Sequence, residues 1–171
     1  MMALRIAWFK VYKPLAYYCA YFSERAASFD VETMSGTCEG IVARMNALKN
    51  KVDGETASEA KRRNEMVIVL EVVLEMRRRG IDFLPVDVYA SHASRFQIED
   101  GNLRPSLDVL EGVGEVAAQA IEKARESGPF LSIEDMVRRS RVSSAVVAAF
   151  KKYNSLAGLP ATDQVSLFSL V

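Results

Sequence analysis

The chain is 171 residues long and half hydrophobic, enough for one good core or two small ones. Its 22 basic and 22 acidic residues give a formal net charge of zero, which excludes a global field pulling the chain onto nucleic acid or anionic lipid and leaves only local contacts. Two cysteines without C-x-x-C spacing, Cys19 and Cys38, and a single histidine, His92, offer neither a zinc site nor a disulfide framework and fit a reducing, cytoplasmic setting.

Residues 1–22 crowd Trp8, Phe9, Tyr12, Tyr17, Tyr18, Tyr21 and Phe22 around Pro14. Proline lacks an amide hydrogen and disfavours helix at the preceding Lys13, so the spacing predicts two short helices meeting at a bend. Arg5 and Lys10 break the continuity that a signal peptide needs, and no apolar run reaches membrane-spanning length, so no membrane partner is expected. A stretch this apolar must pack, either into its own core or onto further protein. A linker and a helix from about Gly40 to Leu48 follow, then a polar loop holding Asp53-Gly54. Thr56 and Glu59 have capping-box spacing, and Met66, Leu70, Val73 and Leu74 recur at helical intervals until Gly80 stops the helix. Arg77-Arg78-Arg79 at its end either complement the helix C-terminus or touch phosphate. From Ile81 the period shortens: Val86 and Val88, then Phe96, Ile98 and Leu103, fall in short alternating runs, with Asp100-Gly101 as a hairpin turn. His92 has no neighbours at ligand spacing and reads as a surface residue.

The most informative internal segment is Leu110-Glu111-Gly112-Val113-Gly114-Glu115, which opens a helix carrying Ala117, Ala118, Ala120, Ile121, Lys123 and Arg125. Two glycines one residue apart allow backbone conformations closed to residues with Cβ, and let a partner approach closely. The helix that follows aims its first-turn N–H groups outward as a phosphate seat. This resembles the helix-hairpin-helix element, which holds a phosphate of duplex DNA through backbone amides and reads no base sequence. With Gly128-Pro129-Phe130-Leu131-Ser132-Ile133-Glu134-Asp135-Met136 and Arg138-Arg139 added, the string is similar to the C-terminal region of bacterial DNA polymerase III alpha subunits. Ser132 suits the N-cap of a further helix, and a second, degenerate hairpin is expected near Tyr153-Asn154-Ser155.

Further matches narrow the resemblance to the PolC type. Arg5-Ile6-Ala7-Trp8-Phe9-Lys10-Val11, Pro14-Leu15-Ala16-Tyr17-Tyr18, Tyr21-Phe22, Phe29-Asp30, Val69-Leu70-Glu71 and Phe96-Gln97-Ile98-Glu99 follow that pattern in order, from the end of the polymerase fingers onward. Two positions depart from it. Asn154 stands where a glycine is usual, and asparagine tolerates the left-handed conformation. Glu111 stands where a proline is usual, which costs rigidity and places a negative charge beside the phosphate position.

Beyond Gly158-Leu159-Pro160 the tail reads Thr162-Asp163-Gln164-Val165-Ser166-Leu167-Phe168-Ser169 and resembles the bacterial sliding-clamp-binding peptide. A flexible tail of this kind places the Gln164 amide in a polar pocket and Leu167 and Phe168 in an apolar cleft. Gln, Leu and Phe coincide at three fixed positions about once in ten thousand sites by average composition. Phosphoryl transfer needs clustered carboxylates holding two metal ions, and Asp82, Asp87 and Glu99-Asp100 have no such role in the resembled family. No catalytic or metal-binding residue is expected, and no cofactor in this chain; the resemblance assigns magnesium to the intact polymerase.

The expectation is therefore a mainly α fold with a small β element. Residues 1–80 form a helical segment resembling the end of the fingers, 81–158 a duplex-DNA-binding region with a β hairpin and a helix-hairpin-helix module, and 159–171 a flexible clamp-binding tail. DNA is assigned to Gly112, Val113, Gly114, Lys123, Arg125, Arg138 and Arg139, and the clamp to Gln164, Val165, Ser166, Leu167 and Phe168. The resemblance implies three partners: duplex DNA, the bacterial sliding clamp and the rest of a polymerase alpha subunit. The chain would then be a fragment, a split-gene product or a truncated reading, inactive alone but tethering a replicative polymerase to its product. A free-standing helix-hairpin-helix adaptor recruited to the clamp is the alternative, and a structural protein whose turn and tail merely pack is the third reading.

Overall fold

A computed structural model describes residues 2–50, 54–156 and 158–162. Among the described residues there are eight α-helices and one two-stranded antiparallel sheet, grouped in two compact units. The first unit comprises the residues up to Leu84 together with Phe96–Arg104, and the second Pro85–Arg95 together with the residues from Pro105.

The first unit begins with α1 (Met2–Tyr12) and α2 (Pro14–Ser23), which meet at the expected bend with Pro14 at the first position of α2. α3 (Val31–Met34) and α4 (Cys38–Lys49) are capped by Asp30 and Thr37. α5 (Ala57–Arg78) starts on the predicted capping box, Thr56 and Glu59 each hydrogen-bonding the other's backbone. It gives way at Gly80, whose φ of +76 is left-handed. Of the three terminal arginines, Arg77 donates to the carbonyls of Met34 and Gly36 and pairs with Asp82, and Arg79 donates to the Lys10 carbonyl and pairs with Glu75. These two hold the fold together.

β1 (Gln97–Glu99) pairs with β2 (Asn102–Arg104) in the register Ile98↔Leu103, through the predicted Asp100-Gly101 turn with both φ angles positive, 49° and 76°. The sequence reading placed this hairpin with the DNA-binding region. The structure places it in the first unit instead, because Phe96 joins Phe22, Phe29 and Phe83 in a cluster with ring centroids 4.8–6.1 Å apart. Leu103, Met34, Ile41, Leu70 and Met76 complete this core, each fully buried.

The N-terminal aromatics divide. Tyr18 and Phe22 are buried, whereas Leu4, Val11 and Tyr12 of α1 are 77%, 62% and 65% exposed, and Ile6, Trp8 and Phe9 about half. α1 thus presents apolar side chains that the described residues do not cover.

In the second unit Val86 and Val88 are buried, but in irregular chain and not in the expected strand. Asp87 caps a turn by accepting from the amides of Tyr89 and Ala90, both at 2.8 Å, and the Val88 amide donates to Ser155. α6 (Glu115–Arg125), α7 (Ile133–Ser140) and α8 (Ser144–Lys152) follow. They enclose Leu107, Leu110, Ile121, Met136 and Phe150, each no more than 1% exposed. Ser132 caps α7 as expected. The second interhelical turn lies at Arg141-Val142-Ser143, between α7 and α8, and not near Tyr153-Asn154-Ser155. Asn154, at φ +53, instead ends α8. Arg141 carries the left-handed φ of +56 at the turn itself, a conformation that a residue other than glycine does not announce.

The Tyr18 hydroxyl is buried beside the Glu75 carboxylate. Burial, and then the neighbouring Glu75 carboxylate, push its pKa from 10.0 up to about 12. A tyrosine whose folded pKa is raised contributes no pH dependence below pH 10.0, and stability is lost as pH rises from there to about 12, because the unfolded chain ionises first. Tyr18→Phe is expected to keep neutral-pH stability within about 1 kcal/mol and to flatten this alkaline loss, as read by urea unfolding across that window.

Candidate nucleic-acid interface

Leu107–Val109 forms a short 3-10 turn, after which the Val113 amide donates to the Leu110 carbonyl at 2.9 Å and closes a tight hairpin. Gly112, at φ +88, takes the left-handed place in that hairpin, which strains any residue with a Cβ. Glu111 takes the place before it, where proline would pre-set φ. Val113 is buried and pins the hairpin to the core.

Gly114 differs from Gly112. Its φ −78 and ψ 160 match those of the N-caps Thr37 (−74, 157), Thr56 (−72, 159) and Ser143 (−75, 161). A Cβ added there would meet nothing within 4 Å. Neither strain nor crowding within the chain therefore requires glycine. α3, α4, α5, α7 and α8 have a side-chain N-cap, whereas α6, like α2, has none. The first-turn amides of Glu115, Val116 and Ala117 are left without a covering side chain, at the positive end of the helix dipole. The sequence reading gave both glycines one role; the structure assigns the backbone turn to Gly112 and the bare helix end to Gly114.

The basic residues assigned to DNA fall into two groups. Lys123 and Arg138 are exposed, with Arg138 paired to Asp135 at 2.6 Å. Arg125 and Arg139 are engaged by the chain's own backbone. Arg125 donates to the carbonyls of Val88 and Ser91 at 2.9 and 2.7 Å and pairs with Glu122 at 3.2 Å, tying the 85–95 loop to α6. Arg139 donates to the carbonyls of Ala124, Gly128 and Pro129, pairs with Asp135 and lies over the Phe130 ring at 4.7 Å. Its guanidinium shapes the loop between α6 and α7 and does not face outward.

Sequence reasoning missed Lys152. Its ammonium lies 3.7 Å from the Glu111 carboxylate, beside the hairpin. The position a Cβ on Gly112 would take is 3.9 Å from the Ala149 Cβ, and Ala149 and Lys152 share a face of α8 at i, i+3. Only the fold brings α8 under the hairpin; in sequence, Lys151-Lys152 reads as an ordinary helix C-terminus. A second carboxylate, Glu115, is held by Gln119 at 3.0 Å. His92 is half-buried, its Nδ1 accepting from the Ser94 amide at 3.1 Å. Among the described residues no group of three His, Cys, Asp or Glu side chains is placed to hold a metal ion, and no helix is long and apolar enough to cross a membrane. Gln164, Val165, Ser166, Leu167 and Phe168 lie outside the described residues. The tail is described as far as Thr162, and the carbonyls of Pro160 and Ala161 accept from the Ile133 and Glu134 amides at the start of α7.

A glycine-rich turn opening an uncapped helix, backed by a second helical pair, defines a helix-hairpin-helix module, and residues 80–164 match the helix-hairpin-helix motif family. Over 168 residues, 98% of this chain, the sequence is 43% identical to DNA polymerase III PolC-type of Streptococcus agalactiae. It is 45% identical to that of Caldanaerobacter subterraneus subsp. tengcongensis and 40% identical to that of Clostridium perfringens, again over 98% of the chain. The chain spans 11–12% of the length of these relatives. It is homologous to one segment of PolC-type DNA polymerase III.

The Leu131 amide, followed by Arg139 and Arg138, holds the Asp135 carboxyl below the usual carboxylate range. Its stabilising contribution is present above that range and is lost as pH falls through the lowered pKa. Arg139→Ala is expected to destabilise the chain by about 2–3 kcal/mol by freeing several carbonyls at once, while Lys123→Ala stays within about 0.5 kcal/mol. Urea unfolding followed by circular dichroism separates the two, and equal effects would return Arg139 to the surface.

Proposed function

We propose that this chain grips duplex DNA without sequence preference, through the backbone amides of the Leu110–Gly114 hairpin and of the α6 N-terminus. The observation that carries the reading is Gly114: an ordinary N-cap backbone with open space for a side chain and no side chain present. Occupation by a phosphate of a partner accounts for a bare end where the neighbouring helices have caps. The exposed Lys123 and Arg138 add phosphate contacts on a chain of zero net charge.

The second contact is the tail. Gln164, Val165, Ser166, Leu167 and Phe168 act as a short peptide engaging the bacterial sliding clamp, with Leu167 and Phe168 as apolar anchors. A clamp contact and a duplex contact on one chain raise each other's effective concentration, so residence on the product lengthens without any new interaction. The chain does this as part of a cytoplasmic replicative polymerase, whose remaining body supplies the catalytic carboxylates and magnesium. The uncovered side chains of α1, with the groove lined by Ile6, Phe9, Ala16, Tyr17, Ala20 and Tyr21, support a polymerase body as partner over a free-standing adaptor. An adaptor would have no use for so apolar a face.

Gly114→Asp separates binding from folding. Aspartate in this geometry caps α6 and is expected to raise stability by up to about 1 kcal/mol, while its carboxylate occupies the amides and abolishes duplex binding in fluorescence anisotropy. Unchanged DNA affinity in a chain carrying this substitution would overturn the hairpin as the grip. For the tail, the Leu167→Ala, Phe168→Ala double variant is expected to lose a micromolar-range interaction with purified clamp in surface plasmon resonance. Absence of binding by the unaltered chain would remove the clamp from the reading.

A further inference from the structure

Glu111 and Lys152 form an ion pair at the mouth of the hairpin, 3.7 Å apart, with 86% and 53% of their side chains exposed. An exposed pair at this distance contributes little to stability, so surrendering it to a ligand costs the fold little. The pair joins two elements far apart in sequence: Glu111 directly precedes the left-handed Gly112, and Lys152 ends α8. The Lys152 ammonium also lies 4.9 Å from the centre of the Tyr153 ring, which holds it on this side of α8. A carboxylate is an anion with oxygen acceptors, as a phosphate is, and this one stands within the hairpin whose amides are proposed to seat a phosphate.

Resting on the duplex-binding reading above, we propose that Glu111 is an intramolecular stand-in for DNA phosphate, and that Lys152 is a DNA-contacting residue handed from Glu111 to the phosphate backbone when duplex binds. In the DNA-free chain the carboxylate holds the ammonium beside the hairpin. On binding, a phosphate takes the ammonium, and Glu111 is left as a like charge near the backbone. The pair therefore attenuates affinity: Lys152 adds a contact, and Glu111 subtracts from it twice, by competing for the lysine and by repelling the phosphate. Such attenuation suits a grip that must let the duplex slide, since tight binding to every phosphate register would hold the chain in place.

The test is fluorescence anisotropy of the 171-residue chain on a short labelled duplex of mixed sequence, across a series of salt concentrations. The variants are Glu111→Gln, Lys152→Gln and the two together, with Gly114→Asp as reference for the hairpin. Thermal melting confirms that each folds. Lys152→Gln is expected to weaken binding about fivefold and to lower the magnitude of the log affinity against log salt slope by about one. Glu111→Gln is expected to tighten binding about threefold. Because the lysine need not leave a carboxylate in the Glu111→Gln background, removing it there is expected to cost more than in the unaltered chain. An equal cost in both backgrounds overturns the exchange. Unchanged affinity and slope for Lys152→Gln, in a chain that binds DNA and loses it with Gly114→Asp, overturns this proposal and keeps the duplex-binding reading. No duplex binding by the unaltered chain overturns that reading and this proposal with it.

Discussion

The hairpin of the second unit depends on one backbone constraint, the left-handed turn at Gly112, which faces Ala149 of α8 at ordinary packing distance. A turn with φ +88 excludes residues with a Cβ on conformational grounds, and the small alanine beneath admits the backbone. The consequences spread outward. Val113 is driven into the core, α6 begins at Gly114 with its amides outward, and Lys152 is carried to the hairpin mouth on the same face as Ala149. A side chain at Gly112 would be opposed by that φ and not by contact with Ala149.

Arginine serves two opposed purposes in this chain, and position decides which. Arg77, Arg125 and Arg139 each direct their planar fork at two or more backbone carbonyls of a loop or helix end. Lysine, a compact point charge on a flexible stem, could not satisfy several fixed carbonyls at once. These arginines replace the hydrogen bonds that irregular backbone forgoes in loops such as 126–131. The exposed cations on helix exteriors are Lys123, Arg138, which pairs with Asp135, and Lys152, which pairs with Glu111. With Glu111 and Glu115 nearby they give a weak local field.

Much of the architecture was legible in the residues because it depends on local rules. Pro14 marks a bend, Thr56 with Glu59 a helix start, Gly80 a stop, Asp100-Gly101 a hairpin and Ser132 a cap; each acts within a few residues of itself. The family resemblance was legible for the same reason, since ordered short motifs survive in the linear string. Where the reading departed from the structure, the deciding contacts were distant. Phe96 drew the β hairpin to Phe22 and Phe29, and Val86 and Val88 were buried by irregular chain that pairs with Ser155 and not with a neighbouring strand.

The candidate site divides along the same line. Its backbone component, a glycine turn opening a helix, is a local motif, so the sequence by itself determined where the hairpin lies and which helix follows it. Tertiary structure alone decided which charges accompany it. A guanidinium in a sequence carries no sign of whether carbonyls will surround it, and so Arg125 and Arg139, adjacent in sequence to plausible contacts, turned inward. Lys152, about forty residues from Glu111, came to the hairpin only through the packing of α8. Backbone conformation is set by neighbours along the chain, whereas the partner of a long charged side chain is set by whatever the fold brings within its reach.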